Sequence, residues 1–231
     1  MDAERLRENW TSVGARVDEA TRLSGRKSGD VRLVAVTKRV PASAVRALID
    51  LGAKTFGENY PQELWEKVEE IPDPSVRWHL IGHLQGKKVK KTLPLVEMVH
   101  GVDTIKLLQS LNSAAAELPQ VPSVCLQANL SGEPTKHGWT AEGLLLDAEE
   151  IARCRSIRVV GLMTMAGLGD QGEAARPTFA QLRQLRDELA RRTGLALPEL
   201  SMGMSGDFEA AIAEGATLVR VGSALFEGVG T

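Results

Sequence analysis

Along the chain, short runs of β-branched and aliphatic residues alternate with longer stretches in which apolar residues return every three or four positions. The opening stretch is of the second kind. From Asp2 to about Ser24, Leu6, Trp10, Val13 and Val17 fall on one helical face with charges between them. "SGRKSGD" then reads as a loop. The pattern predicts strands at Val31–Val36, Lys54–Phe56, Val76–Ile81, Met98–His100, Ser123–Ala128, Arg158–Gly161, Glu199–Ser201 and Thr217–Val221. It predicts helices at Ala42–Leu51, Pro61–Glu69, Thr104–Glu117, Ala141–Arg153, Ala174–Arg192 and Asp207–Ala213, with a weaker pattern at Leu84–Lys91.

Strands separated by helices imply parallel βαβ units. Eight of them in a chain of 231 residues imply a closed barrel. An open doubly wound sheet is the alternative, but no Gly-x-Gly-x-x-Gly turn follows the first strand to support it. The expected fold is α/β: a single (β/α)8 TIM barrel domain over residues 1–231 with an extra N-terminal helix.

Composition narrows the class. The chain is 43% hydrophobic and 25% charged with a net charge of -2, so charge gives no reason to expect nucleic acid or an acidic membrane as partner. No apolar run approaches a membrane span, and "MDAERLRENW" contains no apolar core of a secretory signal. Cys125 and Cys154 lack metal or redox spacing and read as reduced thiols of a cytoplasmic protein.

In such a barrel the site forms where the strands end. Those ends carry Lys38, Gly57-Glu58-Asn59, Gly82-His83, Asp103, Asn129-Leu130-Ser131, Met163-Thr164, Ser201 to Ser205 and Arg220 to Ser223. The last two loops, "LSMGMSGD" and "VRVGSALFEG", hold Ser201, Ser205, Gly222 and Ser223 where barrels bind phosphate. Lys38 ends the first strand, which neighbours the eighth in a closed barrel. A lysine beside a phosphate cradle points to a Schiff base, either with a sugar phosphate or with pyridoxal 5′-phosphate (PLP). Arg220, between Val219 and Val221, should face the barrel axis. Buried there it needs a partner. That partner is either a carboxylate such as Glu58 or the ring nitrogen of a cofactor.

"LVAVTKRVP", "FGENYPQE", "WHLIGHLQGKK", "LSMGMSGDFEAAI" and "VRVGSALFEG" together resemble the pyridoxal phosphate homeostasis protein family, whose fold is similar to the barrel domain of alanine racemase. The resemblance covers almost the whole chain. It implies that Lys38 carries PLP as a Schiff base, that Ser201, Ser205, Gly222 and Ser223 surround the phosphate, and that Arg220 lies near the ring nitrogen. It also implies that Asn59 is a pocket residue and that Met202 and Met204 flank the cradle. Lys136 and Gly138 of "SGEPTKHGW" match a family loop; His83 is at a variable position. Racemisation needs an acid/base on each face of the ring, and the chain's one tyrosine is Tyr60, after the second strand. The expected role is therefore a cytoplasmic PLP carrier without robust catalysis, with PLP-dependent apo-enzymes as candidate recipients. A racemase or lyase of low activity is the alternative. The expected assembly is a monomer or weak homodimer, without nucleic-acid or membrane partners.

Overall fold

The computed structural model describes residues 1–133 and 136–230. Its strands are β1 (Arg32–Val36), β2 (Thr55–Glu58), β3 (Arg77–Leu80), β4 (Met98–Val102), β5 (Ser123–Gln127), β6 (Arg158–Met163), β7 (Glu199–Ser201) and β8 (Leu218–Val221). Each pairs in parallel with the next, and β8 closes on β1 with Val34 opposite Arg220. Strands β2, β4 and β6 run two residues beyond their predicted ends. Glu58 consequently belongs to a strand and not to the loop after it.

The helices are α1 (Ala3–Leu23), α2 (Ala42–Asp50), α3 (Pro61–Glu70), α4 (Val89–Thr92), α5 (Ile105–Ala115), α6 (Ala141–Leu146), α7 (Ala148–Arg153), α8 (Arg176–Thr193), α9 (Phe208–Ala213) and α10 (Ser223–Phe226). The helix expected over Ala141–Arg153 breaks at Asp147, whose carboxylate accepts a 2.8 Å hydrogen bond from Trp139 Nε1. The weak pattern at Leu84–Lys91 gives only a 3-10 turn and the one-turn α4, and Pro94 lies in the next 3-10 turn.

Asp2 caps α1 by accepting from the Arg5 N–H, and Leu6, Val13 and Val17 bury the stripe seen in the sequence. This extra helix packs on α9 and α10, where Asn9 donates to the carbonyls of Leu225 (3.0 Å) and Glu227 (2.9 Å). It thereby covers the seam where β8 returns to β1.

Inside, the barrel is filled in layers. At the strand N-termini Arg32 pairs with Glu199, and Arg77 lies 3.5 Å from Glu97. Val34, Met98, Cys125, Met163 and Leu218 form the apolar middle. Burial pushes the Cys125 thiol up to about 12, which makes it an unreactive packing residue. His79, His100, Ser201 and Arg220 are also buried inside the barrel, and residues beyond the strand C-termini form its mouth.

Candidate functional site at the barrel mouth

Strand alternation decides what reaches the mouth. On β1 the side chains of Leu33 and Ala35 pack outward toward the helices, while Val34 joins the interior and Val36 lines the mouth. Lys38 continues the inward series two residues past the strand. It is exposed, and the next residue, Arg39, adopts φ 62, a left-handed conformation costing a non-glycine residue about 1–2 kcal/mol. The Arg39 N–H donates to Glu63 Oε2 at 3.1 Å, which ties this turn to α3.

Directly beneath, Thr37 is locked into a buried ion pair. Lys67 on α3 donates to Glu58 Oε1 (2.7 Å) and to the Thr37 carbonyl (2.6 Å), and the Thr37 hydroxyl donates to the same carboxylate oxygen (2.5 Å). Burial pushes the Glu58 carboxyl above the ordinary carboxylate value, while Lys67 and Thr37 pull against it. The end of β1, and so the root of Lys38, is fixed by this network.

Lys38, Asn59, Ser205, Arg220, Gly222 and Ser223 line one cavity of about 510 Å³. A larger cavity of about 730 Å³ lies at the opposite end, among Arg77, Glu97, Pro122 and Arg158. Sites in this architecture form at the strand C-termini, so the smaller cavity is the candidate. Its far wall comes from the loop after β6, including Met165, Gly167 and Gln171, and from Lys136 and Met204. Met165, Gly167 and Gln171 were not expected from sequence, whereas Met204 was expected beside the cradle and Lys136 only as part of a matched loop. Lys136 is tied by Ala166 O (2.6 Å), Glu133 (2.7 Å) and Ser131 (3.3 Å).

At one side of the cavity the N–H groups of Gly222 (3.4 Å) and Ala224 (3.2 Å) converge on the Ser205 hydroxyl oxygen. A hydroxyl and converging backbone amides at a loop-to-helix junction are a donor set for an anion. The preceding loop depends on Gly203, which sits at φ +93 and whose added Cβ would lie 2.7 Å from Ala211 Cβ. Gly203→Ala should therefore cost about 1–3 kcal/mol, read as a lowered urea midpoint.

Two nominated residues do not line the cavity. Met202 follows the outward-facing Leu200 in the alternation of β7 and is wholly buried in the outer core, leaving Met204 at the mouth. Ser201 is buried one layer below, under Arg220. The carboxylate partner considered for Arg220 is also not Glu58, which Lys67 occupies. Arg220 donates instead to Ser201 Oγ (2.6 Å) and to the Thr164 carbonyl (3.0 Å). Burial pushes Arg220 down to about 10, so it remains a cation at neutral pH.

A hydrogen-bonded chain runs inward from Arg220. With Arg220 donating to Ser201 Oγ, the orientation that gives the Ser201 hydroxyl hydrogen an acceptor has it donate to His100 Nδ1 (2.6 Å). His100 then carries its hydrogen on Nε2 and donates to His79 Nδ1 (2.9 Å). His79 Nε2, the donor at the end, is buried without a partner among the described residues. Burial lowers both imidazoles, His79 to about 3 and His100 well below its ordinary value, so both are neutral.

Residues 1–229 match the family described as alanine racemase, N-terminal domain. A pyridoxal phosphate homeostasis protein of Pseudomonas aeruginosa is 42% identical over 222 residues, 96% of this chain and 94% of that protein. One of Aquifex aeolicus is 39% identical over 219 residues, covering 95% and 96% respectively. The structure of PipY from Synechococcus elongatus, solved with PLP bound, superposes with a TM-score of 0.84 at 36% identity and covers 96% of this chain and 99% of that one. By its matched length, its identity to these relatives and its closed barrel, the chain belongs to the pyridoxal phosphate homeostasis protein family.

Proposed function

We propose that this protein binds PLP in the cavity at the barrel mouth and serves intracellular PLP homeostasis. In this reading Lys38 holds the cofactor as a Schiff base, and the protein releases it or passes it to PLP-dependent apo-enzymes. The carrying observation is that Lys38, Ser205 with Gly222, and Arg220 line one cavity, and that β8, which carries Arg220, stands between β1, which precedes Lys38, and β7, which precedes Ser205. Those groups match an aldehyde, a phosphate and a pyridine nitrogen in turn. The PLP-bound relative supports the choice of ligand. The aldehyde of PLP would supply reversible covalent attachment to the Lys38 amine, with loss of one water.

Each residue then has a task. Gly222 and Ala224 N–H, with the Ser205 and Ser223 hydroxyls, take the phosphate. Ser201 takes no part directly; it orients Arg220 from below. Asn59 lines the wall beside Lys38. Arg220, a cation restricted to donating, keeps the ring nitrogen unprotonated, which weakens the electron withdrawal that amino-acid chemistry needs. Tyr60 is not among the described residues lining the cavity. Both features favour holding over turnover, against the racemase or lyase alternative. Among the described residues no helix is long and apolar enough to cross a membrane.

Adding PLP to the purified protein is expected to produce a yellow absorption band that Lys38→Ala lacks. Borohydride reduction followed by peptide mass mapping should place the adduct on Lys38 and not on Lys136. An adduct on another lysine, or an undiminished band in Lys38→Ala, would remove Lys38 from the role. Amino-acid racemisation at a useful rate that Lys38→Ala abolishes would instead establish the catalytic alternative.

A further inference from the structure

Outside the Lys38 cavity, His83, Asp103 and His137 face one another across the loops after β3, β4 and β5. One ligand atom from each lies within 4.8 Å of the others. We infer that these three side chains form a binding site for a single divalent transition-metal ion of the zinc class, tying those loops together at the barrel mouth.

The local folding explains why Asp103 is there. A register irregularity between Val99 and Val102 turns Val102 outward into the core beneath the helices, although Met98 two strand positions before His100 faces the interior. The residue after Val102 is thereby returned to the axial side. Asp103 has a side chain only 3% exposed. Its Oδ2 lies 2.7 Å from His83 Nδ1 and 3.7 Å from His137 Nδ1. The other oxygen, Oδ1, is buried with no hydrogen-bond partner among the described residues. A carboxylate oxygen held in that state is costly unless something positive completes it.

The two imidazoles are arranged to do so together. Their rings stack with centroids 4.8 Å apart and an interplanar angle of 20°, each presenting Nδ1 toward the same carboxylate. At 46% and 68% side-chain exposure they are open to ions from solvent. Two imidazole nitrogens and one carboxylate suit zinc, cobalt or nickel and not the oxygen-seeking magnesium or calcium. Ligands bound at about 2.0–2.2 Å on a tetrahedral ion stand about 3.3 Å apart, close to the spacing already present. An adjoining cavity of about 260 Å³, bordered by Gln85, Thr104 and Ser110, leaves room for water at a fourth position. Lys106 borders that cavity too and is the positive charge an ion would have to tolerate.

The site bears on the Lys38 cavity through one loop. Lys136 walls that cavity, and the next residue, His137, reaches the cluster. Gln127 Nε2 donates to the His137 carbonyl at 2.7 Å. Gly138 turns the chain sharply at φ +122, with its missing Cβ only 2.7 Å from Gln127 O. The loop's Pro134 and Thr135 lie outside the described residues. An ion on His137 anchors the C-terminal half of this loop to the loops after β3 and β4.

The test uses the full chain, stripped with chelator and studied without added PLP, because PLP itself binds metals. Zinc titration followed by calorimetry should give one site per chain, and cobalt should produce the visible d–d absorption of a bound ion. His83→Ala and His137→Ala should each weaken zinc binding more than about tenfold, and zinc should raise the melting temperature of the wild type but not of the double variant. The exposure of both histidines keeps these substitutions from threatening the fold, and circular dichroism checks that. The chain's other two histidines, His79 and His100, are buried, so imidazole ligation reports on this pair. Absence of saturable binding up to millimolar zinc, or a site whose affinity neither substitution changes, would overturn the inference. Neither result depends on PLP, so the Lys38 reading stands or falls separately.

Discussion

Replacing Lys67 with methionine is expected to lower the folding stability by about 3–5 kcal/mol at neutral pH. The substitution leaves Glu58, which is fully buried, without its cation and strips the Thr37 carbonyl of its donor. A carboxylate stranded in that position escapes by taking a proton. From the ordinary value of 4.5, protonation at pH 7 costs about 3 kcal/mol, which caps the electrostatic part. The lost donor to Thr37 adds about 1–3 kcal/mol. This account carries its own signature: the deficit should shrink as pH falls from 7 toward 5, where the proton becomes easier to acquire. Adding Glu58→Gln to Lys67→Met should recover much of the loss, since an amide oxygen still accepts from Thr37. A deficit below about 1 kcal/mol, or one independent of pH, would show that the pair does not brace the end of β1.

That brace sits one residue from the amine proposed to carry the cofactor. Lys38 is a flexible side chain at an exposed rim, and its reach is defined only as well as its backbone is held. Thr37 is clamped through both its carbonyl and its hydroxyl, and Arg39 is held in a left-handed turn by Glu63. A partial loss of cofactor binding in Lys67→Met, measured on the folded fraction, would therefore be a consequence of position and not of chemistry.

The barrel was legible because alternation of short apolar runs with helical stretches is a local signal repeated eight times. Arg220 was legible as an axial residue from the alternation with Val219 and Val221, and Lys38 from its place at the end of the first strand, beside the eighth. The failures lie where alternation gives too little. Strand β7 has three residues, too few to fix the parity of the loop beyond it, so Met202 was expected beside Met204 at the cradle, where Met204 alone of the two lines the cavity. The break in β4 reverses parity without a sequence mark, and with it the direction of Asp103. Glu58 and Lys67 meet because α3 folds back over the end of β2, and only the packing of that helix selects lysine's partner. Likewise His79, His100, Ser201 and Arg220 come from four strands whose relative heights are set by closure of the barrel. No spacing within one segment encodes that.

The same closure leads to a pH dependence larger than that of any surface pair. His79 and His100 are neutral in the folded chain, with values lowered by burial, but in the unfolded chain they take up protons near 6.5. Below that pH the unfolded state binds more protons than the native one, so stability present above 6.5 is lost as pH falls. Each histidine contributes about 1.4 kcal/mol per pH unit, and the pair about 2.7 kcal/mol, until the folded values are reached. Glu58 and Asp207 act in the opposite sense, because burial raises both and the native state accepts their protons first. The difference between two proteins isolates the histidine effect from theirs. His79→Gln offers His100 Nε2–H an amide oxygen in place of the His79 ring nitrogen, while removing one titrating group. Urea unfolding between pH 6 and pH 4.5 should show the wild type losing about 1.4 kcal/mol per pH unit more than this variant. Parallel slopes would mean that His79 is protonated in the fold, and the directed chain from Arg220 through Ser201 and His100 could not then end on its Nδ1 as an acceptor.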